Sequence, residues 1–141
     1  MTASPPARIS VADFRRLLAE QHPFAEVLGV QITDIGFGTA RAILPARDAH
    51  QRLGGIVAGP MLMGLADLAL YAAVVGATGQ PNAVTASLTI NFLRKSPAGA
   101  VVAQARLLKT GRLASGEVIL HGEGASEPVA HIVSTWSVPA P

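Results

Sequence analysis

Cysteine is absent from the 141 residues, which removes disulfides, thiolate metal sites and a cysteine nucleophile. Charge is scarce: Asp, Glu, Lys and Arg make up 14%, against roughly 25% in an average globular chain. Aromatic residues are scarcer still, at 4%. The basic side chains Arg41, Arg47, Arg52, Arg94, Lys95, Arg106, Lys109 and Arg112 are scattered along the chain. Nucleic-acid binding draws on a dense basic face, often with stacking aromatics, and neither is present. His22, His50, His121 and His131 show no metal-ligand spacing. No Gly-x-Ser-x-Gly elbow occurs, and Ser87 and Ser115 have no evident His/Asp partners. Met1 to Arg8 holds no apolar core of a signal peptide. Residues 1–9 therefore read as a frayed leader and 10–141 as a single domain, with a cytoplasmic setting expected.

Apolar residues, by contrast, make up 50% of the chain. A chain this greasy and this poor in charge is expected to bury surface between subunits as well as in its own core. A homodimer or homotetramer is the expectation. The length fits one core.

Ser10 is a good N-cap for an amphipathic helix to about Ala19, with Phe14, Leu17 and Leu18 on one side. Pro23 starts a further turn leading to Gly29. Val30 to Ile35 and Thr39 to Leu44 read as short strands around a Gly36-Phe37-Gly38 hairpin, and Pro45 to Gly55 as a loop. Pro60 suits the first turn of a helix running to about Val75, with stops at Gly76 or Gly79 and Pro81 beyond. Strands follow at about 83–93, 100–108, 113–121 and 129–138, separated by Ser96-Pro97-Ala98-Gly99, Thr110-Gly111 and Gly122 to Pro128. The Ile56 to Val75 stretch nears membrane-span length. It carries Gly59, Pro60, Gly64 and Asp67 without a polybasic flank, so it reads as a buried helix and no membrane partner is expected. The predicted architecture is α+β, an antiparallel sheet wrapped around one long helix.

One residue does not fit that helix. From Met61 to Val75 the sole ionisable groups are Asp67 and Tyr71, and no face is polar. A helix apolar all round is buried, and an ionised carboxylate there costs several kcal/mol unless something meets it. A cap, an arginine partner or a position at a subunit rim would account for Asp67. Desolvation that raises its pKa would equally suit a general base or nucleophile. The approach to the helix, Leu53 to Pro60, is a glycine-rich loop delivering free N–H groups at the positive end of the helix dipole. Such donors can hold an oxyanion, although a glycine loop that merely starts a helix looks the same.

These residues resemble the hotdog thioesterases, in particular acyl-CoA thioesterases of the phenylacetate-degradation type, over most of the chain from about Phe24. That family carries Asn-x-x-Gly-x-x-His-Gly-Gly, four residues, then Leu-Ala-Asp. Here Arg52-Leu53-Gly54-Gly55-Ile56-Val57-Ala58-Gly59-Pro60 precedes Met61 to Gly64 and Leu65-Ala66-Asp67. Val84 to Arg94 looks like the family's third strand, and Ser96-Pro97-Ala98-Gly99 like its following turn. The resemblance implies a hotdog fold and hydrolysis of an acyl-CoA thioester, without a metal or redox cofactor. It implies Asp67 as base or nucleophile, Gly59 as the oxyanion N–H from the opposite subunit, and Thr85 as a positioner of water. Three positions depart from the pattern: Ala58 replaces the His, Pro60 the second Gly and Arg52 the Asn, for which Gln51 could substitute with a one-residue shift.

Other candidates are His50, beside Gln51 and Arg52 ahead of the helix, and Pro60, which removes one N–H donor. Arg94 and Lys95 could meet nucleotide phosphates, as could Lys109 and Arg112 at a turn. Solvated turn charges, or an exposed loop histidine, are the plainer readings. His22-Pro23-Phe24 superficially resembles a His-Phe element of hotdog dehydratases, but it lies upstream of both short strands. A non-catalytic acyl- or aryl-CoA binding protein is the alternative that Ala58 and Arg52 favour. The small residues Gly64, Ala66, Ala69, Ala72 and Ala73 leave room for an aryl or medium alkyl group.

Overall fold

The computed structural model describes residues 4–141. Residues 1–3 of the expected leader lie outside the described residues. Its last part lies against the domain: the Arg8 N–H donates to Gly76 O at 2.8 Å and Ile9 packs on the core.

Helix α1 (Val11–Gln21) starts at Ser10, whose side chain accepts from the Asp13 N–H. The turn expected at Pro23 is a short helix, α2 (Pro23–Leu28), closed by Gly29 in the left-handed region. Strands β1 (Gln31–Gly36) and β2 (Thr39–Leu44) form the expected hairpin, with Gly36 opposite Thr39 and Gly38 at φ 80°. Residues 45–55 are more ordered than expected. A 3₁₀ turn at Asp48–His50 leads into β3 (Gln51–Arg52), which pairs with β4 (Ile56–Val57). Two-residue strands carry no periodicity, so nothing in the sequence pattern announces them.

Helix α3 (Gly59–Thr78) follows, three residues longer than the expected end at Val75. Gly76 lies inside it rather than ending it, because a Cβ at that position would run into the Gly36 carbonyl oxygen. The glycine lets α3 sit directly on β1. The actual stop is Gly79, left-handed at φ 67°. Strands β5 (Val84–Phe92), β6 (Val101–Lys109), β7 (Leu113–Gly122) and β8 (Pro128–Ser137) complete one antiparallel six-stranded sheet in the order β1-β2-β6-β7-β8-β5.

Strands β7 and β8 alternate inward Ala114, Val118, Leu120, Ala130, Ile132 and Trp136 with an outward set that mixes polar side chains (Ser115, Glu117, His131, Thr135) with exposed Leu113, Ile119 and Val133. The inward set wraps α3, on which Leu65, Ala66, Ala69, Leu70, Ala72 and Ala73 are all inaccessible to solvent. The helix is apolar and long enough to span a membrane by composition, but it is the core of the domain. Leu70, fully enclosed, gives a direct measure of that packing: Leu70→Ala should cost about 2–5 kcal/mol, read as a lower urea midpoint at unchanged slope. The other edge differs. Strand β5 has a partner on one side alone, and Val84 (59%) and Phe92 (52%) stand exposed, with Leu93 (50%) just beyond it.

Candidate active site

Asp67 projects from the middle of α3 between fully buried Ala66 and partly buried Leu68, and its own side chain is partly buried. Its Oδ1 accepts a 2.6 Å hydrogen bond from the Thr85 hydroxyl on β5. Desolvation pushes the Asp67 carboxyl above its ordinary pKa, and the Thr85 hydrogen bond pulls it part of the way back. The result is a carboxylate that holds a proton more readily than usual while one oxygen is fixed in direction.

Thr85 reaches it because of a local irregularity. In the pairing of β5 with β8, Thr85 faces Trp136 and Ser87 faces Thr135, so Ala86 is an extra residue in β5. A bulge of this kind bends a strand and re-aims a side chain.

A cavity of about 320 Å³ opens beside Asp67. Its far wall is α2, with His22, Pro23, Phe24 and Leu28, and its floor is Gly64 and Leu68 of α3. Sequence reasoning found no metal-ligand spacing around His22 and gave it no role, and α2 is too short to show an apolar stripe. The one available signal was the histidine directly ahead of a helix-starting proline.

Gly59 lies in a different cavity, of about 480 Å³, together with Arg52, Phe92, Arg94, Lys95 and Ser96. Two hydrogen bonds hold this corner. The Val57 N–H donates to Ser96 O at 2.9 Å and the Ala98 N–H to Gly55 O at 3.2 Å. They dock the β3–β4 hairpin on the turn after β5 and bring the cations beside the helix start. As the first residue of α3, Gly59 has no intrahelical acceptor for its N–H. A Cβ there would sit 3.1 Å from Phe92 Cζ.

The remaining candidates fall in several places. Pro60 is exposed beside Gly59, and Gln51 is exposed on β3 outside this cavity. Arg94 is already engaged, donating to Pro128 O at 2.6 Å and pairing with Glu127 at 3.2 Å. Lys95 is exposed. His50 corrects the expectation of a loop side chain near substrate: it is 4% exposed, with Nδ1 3.2 Å from Pro45 O and Nε2 enclosed without a partner. Among the described residues no cluster suited to holding a metal ion occurs.

A curled antiparallel sheet clasping one long apolar helix, with an acidic group at mid-helix, is the hotdog architecture. The sequence profile of the thioesterase superfamily matches residues 54–115. A candidate thioesterase of Silicibacter sp. is 35% identical, with a TM-score of 0.85 over 95% of this chain and 94% of that one. A point variant of the phenylacetic acid degradation protein PaaI of Thermus thermophilus is 30% identical, with a TM-score of 0.74 over 83% and 99%. A candidate esterase of Saccharolobus solfataricus is 27% identical over 92% of this chain and 86% of its own length. The chain belongs to the hotdog thioesterase superfamily and is similar to the PaaI proteins within it.

Proposed function

We propose that the protein is an acyl-CoA thioesterase, acting as a homodimer or a pair of such dimers, with Asp67 as its base or nucleophile. The observation that carries this reading is Asp67 itself: a desolvated carboxylate, hydrogen-bonded by Thr85, at the edge of a cavity in a thioesterase fold.

Helix geometry supports a two-chain site. Gly59 and Asp67 are eight positions apart, which at about 1.5 Å per residue separates them by about 12 Å along α3. They also line different cavities. One thioester carbonyl does not reach both in the same chain, which supports a Gly59 contributed by a second copy. The exposed edge of β5, with its apolar side chains, offers a surface for that copy. Thr85 lies on the same strand.

In the reaction, water oxygen bonds the carbonyl carbon as its proton passes to Asp67. The Gly59 N–H and the helix dipole hold the oxyanion, the C–S bond breaks, and the thiolate leaves with a proton. Alternatively Asp67 attacks directly and water resolves the anhydride. Arg52, Arg94 and Lys95 around Gly59 suit the phosphates of CoA. Gln51 and Arg52 take the place of the family Asn, and Pro60 leaves the Gly59 donor intact. The chemistry calls for no metal or redox cofactor, and we place it in the cytoplasm.

A screen of acyl-CoAs across chain length and aromaticity, read as free thiol, tests the reading, with Asp67→Asn as its control. Ala58 at the family His position favours the binding-protein alternative, which predicts CoA-ester affinity with no thiol release.

Thr85 gives a sharper expectation. Its hydrogen bond favours the ionised form of Asp67, so Thr85→Ala should raise the carboxyl pKa further. The acidic limb of kcat/KM against pH then moves to higher pH, and Thr85→Ser moves it back. An unmoved limb in Thr85→Ala would show that Asp67 is not the group being titrated.

A further inference from the structure

We propose that His22 is the proton relay of the Asp67 cavity, taking up the proton that Asp67 removes from the attacking water. The inference rests on the hydrolytic reading above, with Asp67 as base.

His22 stands where α1 ends and α2 begins. Its N–H donates to Leu18 O at 2.9 Å and its carbonyl accepts from the Ala25 N–H at 2.9 Å, so the imidazole leaves a corner fixed on both sides. Its Nε2 is 3.1 Å from Tyr71 Oη, and Tyr71 Oη is 2.6 Å from Pro81 O. A carbonyl has no proton to offer and a phenol has one. Tyr71 therefore donates to Pro81, and His22 Nε2 must donate to Tyr71.

That chain settles the tautomer. Neutral His22 carries its proton on Nε2, and Nδ1 is left as an acceptor. Nδ1 has no partner among the described residues, and it is not one of the enclosed unpartnered atoms, which are His50 Nε2, Ser96 Oγ and Trp136 Nε1. Solvent reaches it.

Tyr71 is a firm anchor. It is 4% exposed, packs 5.4 Å from the Phe14 ring and stacks 5.5 Å from Trp136. It follows Asp67 by four positions on α3, so the two share a helix face. His22 and Asp67 line the same cavity. Beside Asp67 the rest of the lining is Gln21, Pro23, Phe24, Ala25, Leu28, Gly64 and Leu68, and none of these side chains carries a basic nitrogen.

The step balances as follows. Asp67 accepts a proton from the water whose oxygen bonds the carbonyl carbon, and the C–S bond breaks. The carboxyl proton passes through a cavity water to His22 Nδ1. The imidazolium then releases it toward the departing thiolate, and Asp67 is again a carboxylate. Without this exit a desolvated carboxyl beside apolar walls holds its proton, and the next turnover waits.

The test compares His22→Gln, His22→Ala and Asp67→Asn in the full-length protein on one acyl-CoA. Gln sets an amide N–H where Nε2–H stood, which keeps the Tyr71 hydrogen bond while removing the basic site. For His22→Gln, kcat should fall about ten-fold with KM within about two-fold, a modest share of what general acid–base groups contribute. Its melting temperature should match the parent. Added imidazole should restore part of the kcat of His22→Ala and none of that of Asp67→Asn. Parental kcat in His22→Gln, or indifference of His22→Ala to imidazole, overturns the relay while a dead Asp67→Asn leaves the hydrolase reading standing. A parent that turns over no thioester brings both down.

Discussion

Asp67→Asn should leave a folded protein whose thioester turnover is about 10²–10⁴-fold below the parent, the range a positioned acid–base group contributes. The substitution conserves volume, and the Asn carbonyl can still accept the hydrogen bond that Thr85 gives Asp67 at 2.6 Å. What disappears is the charge. Activity and stability should therefore move apart. Burial raises the folded-state pKa of Asp67, so at pH values above that pKa the ionised side chain costs the fold stability relative to the unfolded chain. Below the unfolded-state pKa both states hold the proton and the cost vanishes. The variant should thus melt no lower than the parent at neutral pH, with the gap in its favour closing as the solution is acidified. Melting curves at neutral and acid pH, beside kcat, check both halves. Retention of parental kcat by Asp67→Asn and by Asp67→Ala would sink the catalytic assignment.

Gly59→Val and Asp67→Asn should each be inactive alone and recover activity when their subunits are mixed. A side chain at residue 59 would press on Phe92, 3.1 Å from the position of its first carbon, and would crowd the approach to the N–H. In a mixed dimer one of the two composite sites holds an intact Gly59 and an intact Asp67, while the other holds neither. With random exchange about half of the dimers are mixed, so the expected recovery is about a quarter of parental activity. Denaturation of the two variants together, refolding and assay would measure it. No recovery, with dimers present by size, would place both residues of each site in one chain and overturn the two-subunit arrangement.

Much of this was legible before any coordinates. The all-apolar stretch from Met61 to Val75 could only be an enclosed helix, and a lone Asp in it had to be either satisfied or used. The inward alternation of β7 and β8 was written in period two. The parts that escaped are those with too few residues to repeat. The β3–β4 ladder is two residues long on each side. Helix α2 spans six, which is less than two turns, so the apolar face it turns toward Asp67 has no pattern to detect. His50 was misplaced because its neighbours Gln51 and Arg52 are polar and exposed. Its burial comes from the Ala58 N–H docking on its carbonyl at 2.8 Å, a contact across the hairpin. Of the two stops offered for α3, Gly76 and Gly79, the helix takes the second and runs three residues past Val75, because Gly76 is needed for contact with β1.

The chain order of α3 has a consequence for biosynthesis. The helix spans residues 59–78, and four of the six strands that enclose it lie at residues 84–137. A ribosome therefore releases the greasiest segment first and its cover last. Throughout that interval the nascent chain displays a stretch of membrane-spanning composition with little but the first hairpin and the N-terminal helices to shield it. Exposed apolar surface of this kind attracts chaperones and promotes aggregation, so the interval before β5 to β8 emerge is the stage of synthesis at which this chain is most open to misassembly.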